Sequence, residues 1–222
     1  MSPTLSLAGQ FVNLLAALLL LISFAMLAQR RILTLIHLLA WQGAALAAST
    51  LIVAASTGQG HLYFSAALTV LLKVMLIPWV LHRLIDALNV KWDVETLIAI
   101  PTTMLVGIGV AIFAFALATP ISQMAGTLTR STLGIALAGV LLSFLMMIVR
   151  RKAVAQVIGF LSMENGLFFA ATGATYGMPL VVEMGIALDV LVATFIFGIF
   201  FFHIREQFDS LDVHHMEKLK ED

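Results

Sequence analysis

Three carboxylates and one lysine lie inside or beside long apolar stretches of this 222-residue chain: Glu164, Glu183, Asp189 and Lys73. A charge at bilayer depth costs at least about 2.5 to 3.5 kcal/mol on insertion scales, so such residues face protein or water and read as functional by default. Glu164 lies roughly 20 Å along a helix from Arg151, close to the middle of an apolar layer about 30 Å thick. Asp189 lies roughly 24 Å from Arg205 and Lys73 roughly 15 Å from Arg83. Groups of this kind can relay protons or ions where water connects them, which makes Glu164, Lys73 and Asp189 the candidate relay residues. The competing reading is packing, with each acid bonded across helices or paired with a cation of a neighbouring subunit.

Two further residues are subsidiary candidates. His37 lies two turns beyond Arg31 and can reach interfacial water. Glu183 follows Pro179 near a helix N-terminus, where the helix dipole favours a carboxylate, so a structural role accounts for it. The adjacent His214 and His215 read as part of a solvated tail and not as a metal site. Pro78, five residues after Lys73, has no N–H to give. In an α-helical ladder that leaves the carbonyl of Val74 without its partner and favours a kink beside the lysine.

The elements that must position these groups are membrane spans. Of the chain, 61% is hydrophobic and 11% charged, whereas a soluble domain carries about 25% charged residues. Apolar runs of spanning length fall at 5–28, 32–55, 62–85, 97–119, 132–149, 153–176 and 179–203. The expected fold is therefore an all-α polytopic transmembrane protein of about seven helices, a single domain over 1–203 with a cytoplasmic tail over 204–222. Breaks are expected at Arg30–Arg31, Ser56 to Gly60, Asp86 to Glu95, Pro120 to Arg130, Arg150 to Lys152 and Thr172 to Pro179. The first run has no basic leader before it, so it reads as a span and not as a cleaved signal.

With seven alternating spans, ten basic residues share one face (Arg30, Arg31, Arg83, Lys91, Arg150, Arg151, Lys152, Arg205, Lys218 and Lys220), and Arg130 stands alone on the other. The positive-inside rule then places the N-terminus outside and the C-terminus in the cytoplasm, and the expected location is the cell inner (cytoplasmic) membrane. Lys+Arg and Asp+Glu are equal at 12 each, which gives no sign of a nucleic-acid partner. The chain has no cysteine, so it can form no disulfide, supply no cysteine ligand to an iron–sulfur cluster and offer no thiol nucleophile. No P-loop, dinucleotide fingerprint, nucleophile elbow or zinc motif is present. The expectation is a chain without a catalytic centre of its own.

A weak internal repeat relates the segment from Ser23 to Ser49 with that from Ser143 to Thr172. Each runs from Ser-Phe to an Arg-Arg pair and on to a Gly-led run of small residues. The even offset makes the copies parallel, dividing the chain into a three-helix unit (1–95), a linking helix (96–130) and a second three-helix unit (131–203). The alignment sets Trp41–Gln42 against Met163–Glu164–Asn165, and only the second copy carries the acid.

With these residues located, the chain resembles hydrogenase-4 component E, a membrane subunit of formate hydrogenlyase and related group 4 nickel-iron hydrogenase complexes. The carrying residues are Met163–Glu164–Asn165–Gly166, Val182–Glu183, Gly185–Ile186–Ala187 with Asp189, Lys73–Val74 with Pro78, and Leu211–Asp212–Val213 with Leu219–Lys220. The second half is also similar to the K-type subunit of respiratory complex I, through Ile148–Val149–Arg150–Arg151 and Ile158–Gly159. There the acid directly follows a Gly-Leu step, whereas here position 161 is Leu and the acid comes one turn later at Glu164.

The resemblance implies an accessory subunit without a redox centre, set between a hydrogenase arm and antiporter-like membrane subunits. It would extend a proton or sodium path coupled to electron transfer, with the nickel-iron centre and iron–sulfur clusters held by partner subunits. Two other readings stand beside it: a subunit of a multisubunit cation/proton antiporter, and a purely structural assembly subunit.

Overall fold

The computed structural model describes residues 7–58, 60–88, 96–124 and 132–175, together with positions 191 and 198. The described chain is helical. α1 (Leu7–Ala28) and α2 (Ile32–Thr57) are followed by one long helix in three parts: α3 (Gly60–Thr69), a π-helical segment (Val70–Leu76) and α4 (Ile77–Leu88). Then come α5 (Ile100–Met124), α6 (Leu133–Val149) and α7 (Ala153–Thr175). Among the described residues no strand forms, and the isolated antiparallel bridge between Thr96 and Arg150 joins the approach to α5 with the α6–α7 turn.

Five of these helices are long and apolar enough to cross a membrane, and α6, at 17 residues, is a shorter apolar helix. Large apolar side chains cover the outer surface, Leu105 and Ile112 of α5 and Leu14 and Leu21 of α1 among them. That is the surface expected where the solvent is lipid. The expected span over 179–203, with Glu183 and Asp189, lies outside the described residues except for positions 191 and 198, and so does the 204–222 tail with His214 and His215.

Two boundaries differ from expectation. Pro120 was expected to open a break, but α5 continues through it to Met124. A proline removes one bond from a helical ladder, and the turn that follows can still form. Pro78 does not act on the carbonyl of Val74 as an α-helical ladder would require. The N–H of Ile77 bonds the carbonyl of Leu72, five residues back. In a ladder of that span the bond Pro78 fails to make is the one to Lys73's own carbonyl.

The helices of the two similar sequence segments meet like with like, α1 against α6 and α2 against α7, while α6 and α7 form the most extensive pair. Their close approach rests on Gly159, where an added Cβ would stand 2.8 Å from Met147 Cγ. Beside a small α5–α6 cluster of Ala111, Ala114 and Ala138, two larger apolar clusters fill the bundle. One, toward the Arg150 end, includes Met26, Leu39, Ile77, Leu142, Ile158 and Leu161; the other, toward the α2–α3 turn, includes Leu19, Leu46, Ala136 and Phe168. Between them lies a layer of polar side chains: Ser23, Gln42, Lys73, Ser143, Ser162, Glu164 and Asn165, all buried.

Candidate functional site

Lys73 reaches this layer because the third helix carries its buried stripe at intervals of four residues: Thr69, Lys73, Ile77, Leu81 and Ile85. In an α-helix each step of four overshoots a full turn by about 40°, so the stripe would wind away from the core. The wider π segment takes up that drift and keeps both Lys73 and Ile77 on the buried face. On α7, Leu161, Glu164 and Phe168 share one face at spacings of three and four, while Ser162 and Asn165 lie on the neighbouring face.

Two of these charges, Lys73 and Glu164, meet. Lys73 Nζ donates to Glu164 Oε1 at 2.6 Å, and both side chains are nearly closed to solvent, at 6% and 10% exposure. The ammonium also stands 5.1 Å from the ring centre of Phe168, where the ring's negative face attracts it. On the side of α2, Gly43 makes room: a Cβ there would stand 3.2 Å from Lys73 Cβ and 3.4 Å from its carbonyl oxygen. Pairing and hydrogen bonding offset the cost of burying both charges, and a proton shared between ammonium and carboxylate leaves the site's net charge unchanged.

Next to the ion pair runs a directed chain of hydrogen bonds. Asn165 Nδ2 donates to Gln42 Oε1 at 3.3 Å, Gln42 Nε2 to Ser23 Oγ at 3.2 Å, and Ser23 Oγ to the carbonyl of Leu19 at 3.0 Å. Each donor's direction is set by the next acceptor. Asn165 Oδ1 is thereby left as a buried acceptor without a protein partner. The second copy holds a parallel arrangement in which Ser143 Oγ donates to the carbonyl of Gly139 and lies 2.7 Å from Ser162 Oγ. Ser23 to Gln42 and Ser143 to Ser162 are both separations of 19 residues. These bonds set Gln42 in register with Ser162, not with Met163–Glu164–Asn165 as the sequence alignment had it.

The other candidates are placed differently. His37 is exposed on α2, with its Nδ1 2.8 Å from the carbonyl of Leu33 on its own helix, and the structure does not bring it to the ion pair. Glu183 and Asp189 fall outside the described residues.

Arg150 is the residue whose contacts sequence reasoning missed. Counted among the basic residues of one face, it stands at the C-terminal end of α6 and is fully buried there. Its Nη2 donates to the carbonyls of Met26 at 2.9 Å and Leu27 at 3.0 Å at the end of α1, where Met26 also accepts from the N–H of Gln29 at 3.3 Å. Burial lowers its pKa to about 10, which still leaves the guanidinium charged at neutral pH. The available signal was its place in the Arg-Arg pair repeated at Arg30–Arg31, but Arg30 is exposed.

Fold and site together define a polytopic helical membrane protein with an ion pair buried between its spans. The chain belongs to the family of the uncharacterized protein Rv0085 of Mycobacterium tuberculosis, to which it is 31% identical over 194 residues, 87% of this chain and 88% of that protein. A more distant relationship links it to hydrogenase-4 component E of Escherichia coli K12 and of Shigella flexneri, at 29% identity over 101 residues. That match spans 46% of this chain and 47% of those proteins. No family model and no solved structure matches the chain.

Proposed function

We propose that this protein is an accessory integral-membrane subunit of a membrane-bound nickel-iron hydrogenase complex, in which it contributes to proton or sodium translocation coupled to electron transfer. The observation that carries the reading is the Lys73–Glu164 ion pair, held in the polar layer between two apolar clusters of a spanning bundle. Ionisable residues at such depth characteristically line ion pathways or relays. The distant kinship with hydrogenase-4 component E supplies the context of a membrane complex. Antiporter-like and complex I-like membrane subunits and a hydrogenase arm are the partners, and those partners hold the nickel-iron centre and the iron–sulfur clusters. The basic residues at the Arg30, Arg83 and Arg150 ends orient that side toward the cytoplasm.

Affinity purification of the full-length chain from its native membrane, with identification of co-eluting proteins and nickel analysis, tests this reading. A nickel-bearing hydrogenase subunit should co-elute. Recovery of cation/proton antiporter subunits alone, without nickel, would transfer the protein to that class of complex.

A further inference from the structure

Six buried hydroxyls of this bundle follow one habit. Ser23, Ser49, Thr50, Thr69, Ser143 and Thr172 each donate to a carbonyl three or four residues back on the same helix. Ser65 breaks it. Only 1% exposed, it is, among the described residues, the one hydroxyl among the buried side-chain oxygens that have no protein partner.

Its surroundings suggest what it bonds. Ser65 lines a crevice with Leu68, Thr69, Lys73, Glu164 and Phe168, with about 10 Å³ open to a water-sized molecule. A single water needs roughly that much space and two to four polar partners. Ser65 Oγ, the remaining ammonium hydrogens of Lys73 and the second carboxylate oxygen of Glu164 supply them. Lys73 and Glu164 are the titratable groups that line it. Sodium suits this place poorly, since Lys73 already sits on Glu164 as its cation and, apart from the hydroxyls of Ser65 and Thr69, the walls are leucine and phenylalanine. A second crevice touches the pair from the opposite direction along the helices, lined by Leu39, Ile77, Leu161 and Asn165, and it has no room for a water.

We propose that Ser65 holds a single water against the Lys73–Glu164 pair, making a proton-exchange site that solvent reaches from the α2–α3 turn side while Leu39, Ile77 and Leu161 close the other side. Ser65 is a positioning residue there, and the species handled is the proton. This deepens the function proposed above by naming the ion and rests on that reading for its purpose, although the water site itself does not depend on it.

The natural chain has no cysteine, so an introduced thiol gives an isolated S–H infrared band. Ser65→Cys and Ser162→Cys, both nearly isosteric, would be compared as full-length chains in lipid nanodiscs on transfer from H₂O to D₂O. The S–H of the Ser65 variant should convert to S–D promptly, and that of the Ser162 variant, in the dry α6–α7 interface, should persist. In a second measurement the isotope shift of the Glu164 band, assigned by its loss in Glu164→Gln, should appear about tenfold more slowly in Ser65→Val, as expected for the loss of roughly one hydrogen bond. A persistent S–H in the Ser65 variant, or unchanged Glu164 exchange in Ser65→Val, overturns the water site. A sodium-induced shift of the Glu164 band overturns the choice of proton. Neither readout requires a hydrogenase partner, so failure here is separable from failure of the proposed function.

Discussion

Lys73→Met and Glu164→Gln should each destabilise the protein by about 3 to 5 kcal/mol, because each leaves the other charge buried without its counterion. The double variant should recover much of that loss. The pair is 2.6 Å apart and nearly closed to solvent, so the two changes are strongly non-additive, unlike substitutions at separated sites. Both replacements hold volume close to that of the original side chain, which keeps cavity effects small beside the electrostatic one. Denaturant titration of the four proteins in detergent, followed by helical circular dichroism, reads the coupling. Additive losses would mean that the two residues do not depend on each other in the folded protein.

The second large effect is expected at Arg150. Arg150→Ala strips the carbonyl of Leu27 of this donor and leaves that of Met26 with only the N–H of Gln29, and an unsatisfied buried acceptor costs about 1 to 3 kcal/mol. The void adds to this, so the total loss should be about 3 to 5 kcal/mol. Arg150→Lys should recover only part of it, since the shorter side chain has to bring its ammonium to the place from which Nη2 alone now reaches both carbonyls. The same titration measures it. An alanine variant within about 0.5 kcal/mol of the parent, as for an ordinary surface substitution, would show that the α1 terminus is closed by other means.

These residues also show where the sequence was readable. Lys73 and Glu164 stand out because charge interrupts apolar text, and the helices that carry them follow from span length and hydropathy. That they meet was not legible. The contact joins positions 91 residues apart, and the rotation of Lys73 toward α7 depends on a π segment that apolar periodicity does not announce. The proline that disturbs the ladder was visible, but the carbonyl it frees depends on whether that ladder spans four residues or five. The burial of Arg150 was not legible, because an arginine between two spans looks the same whether it faces the interface or folds back under a helix end. Ser65 was invisible for a related reason: one hydroxyl among many reads alike until its neighbours' bonds are traced. His37, by contrast, was readable as a shallow residue from its distance to Arg31, and it is exposed.

The most direct test of the central claim is ion-coupled turnover by sealed membrane vesicles containing the assembled complex with Glu164→Gln in this subunit. Hydrogenase activity with an artificial electron acceptor should persist, because it bypasses the membrane path. Coupled turnover should fall about a hundredfold or more, the scale associated with loss of a positioned proton-transfer group. Full coupling in the assembled Glu164→Gln complex would contradict the relay and leave the ion pair as a packing device.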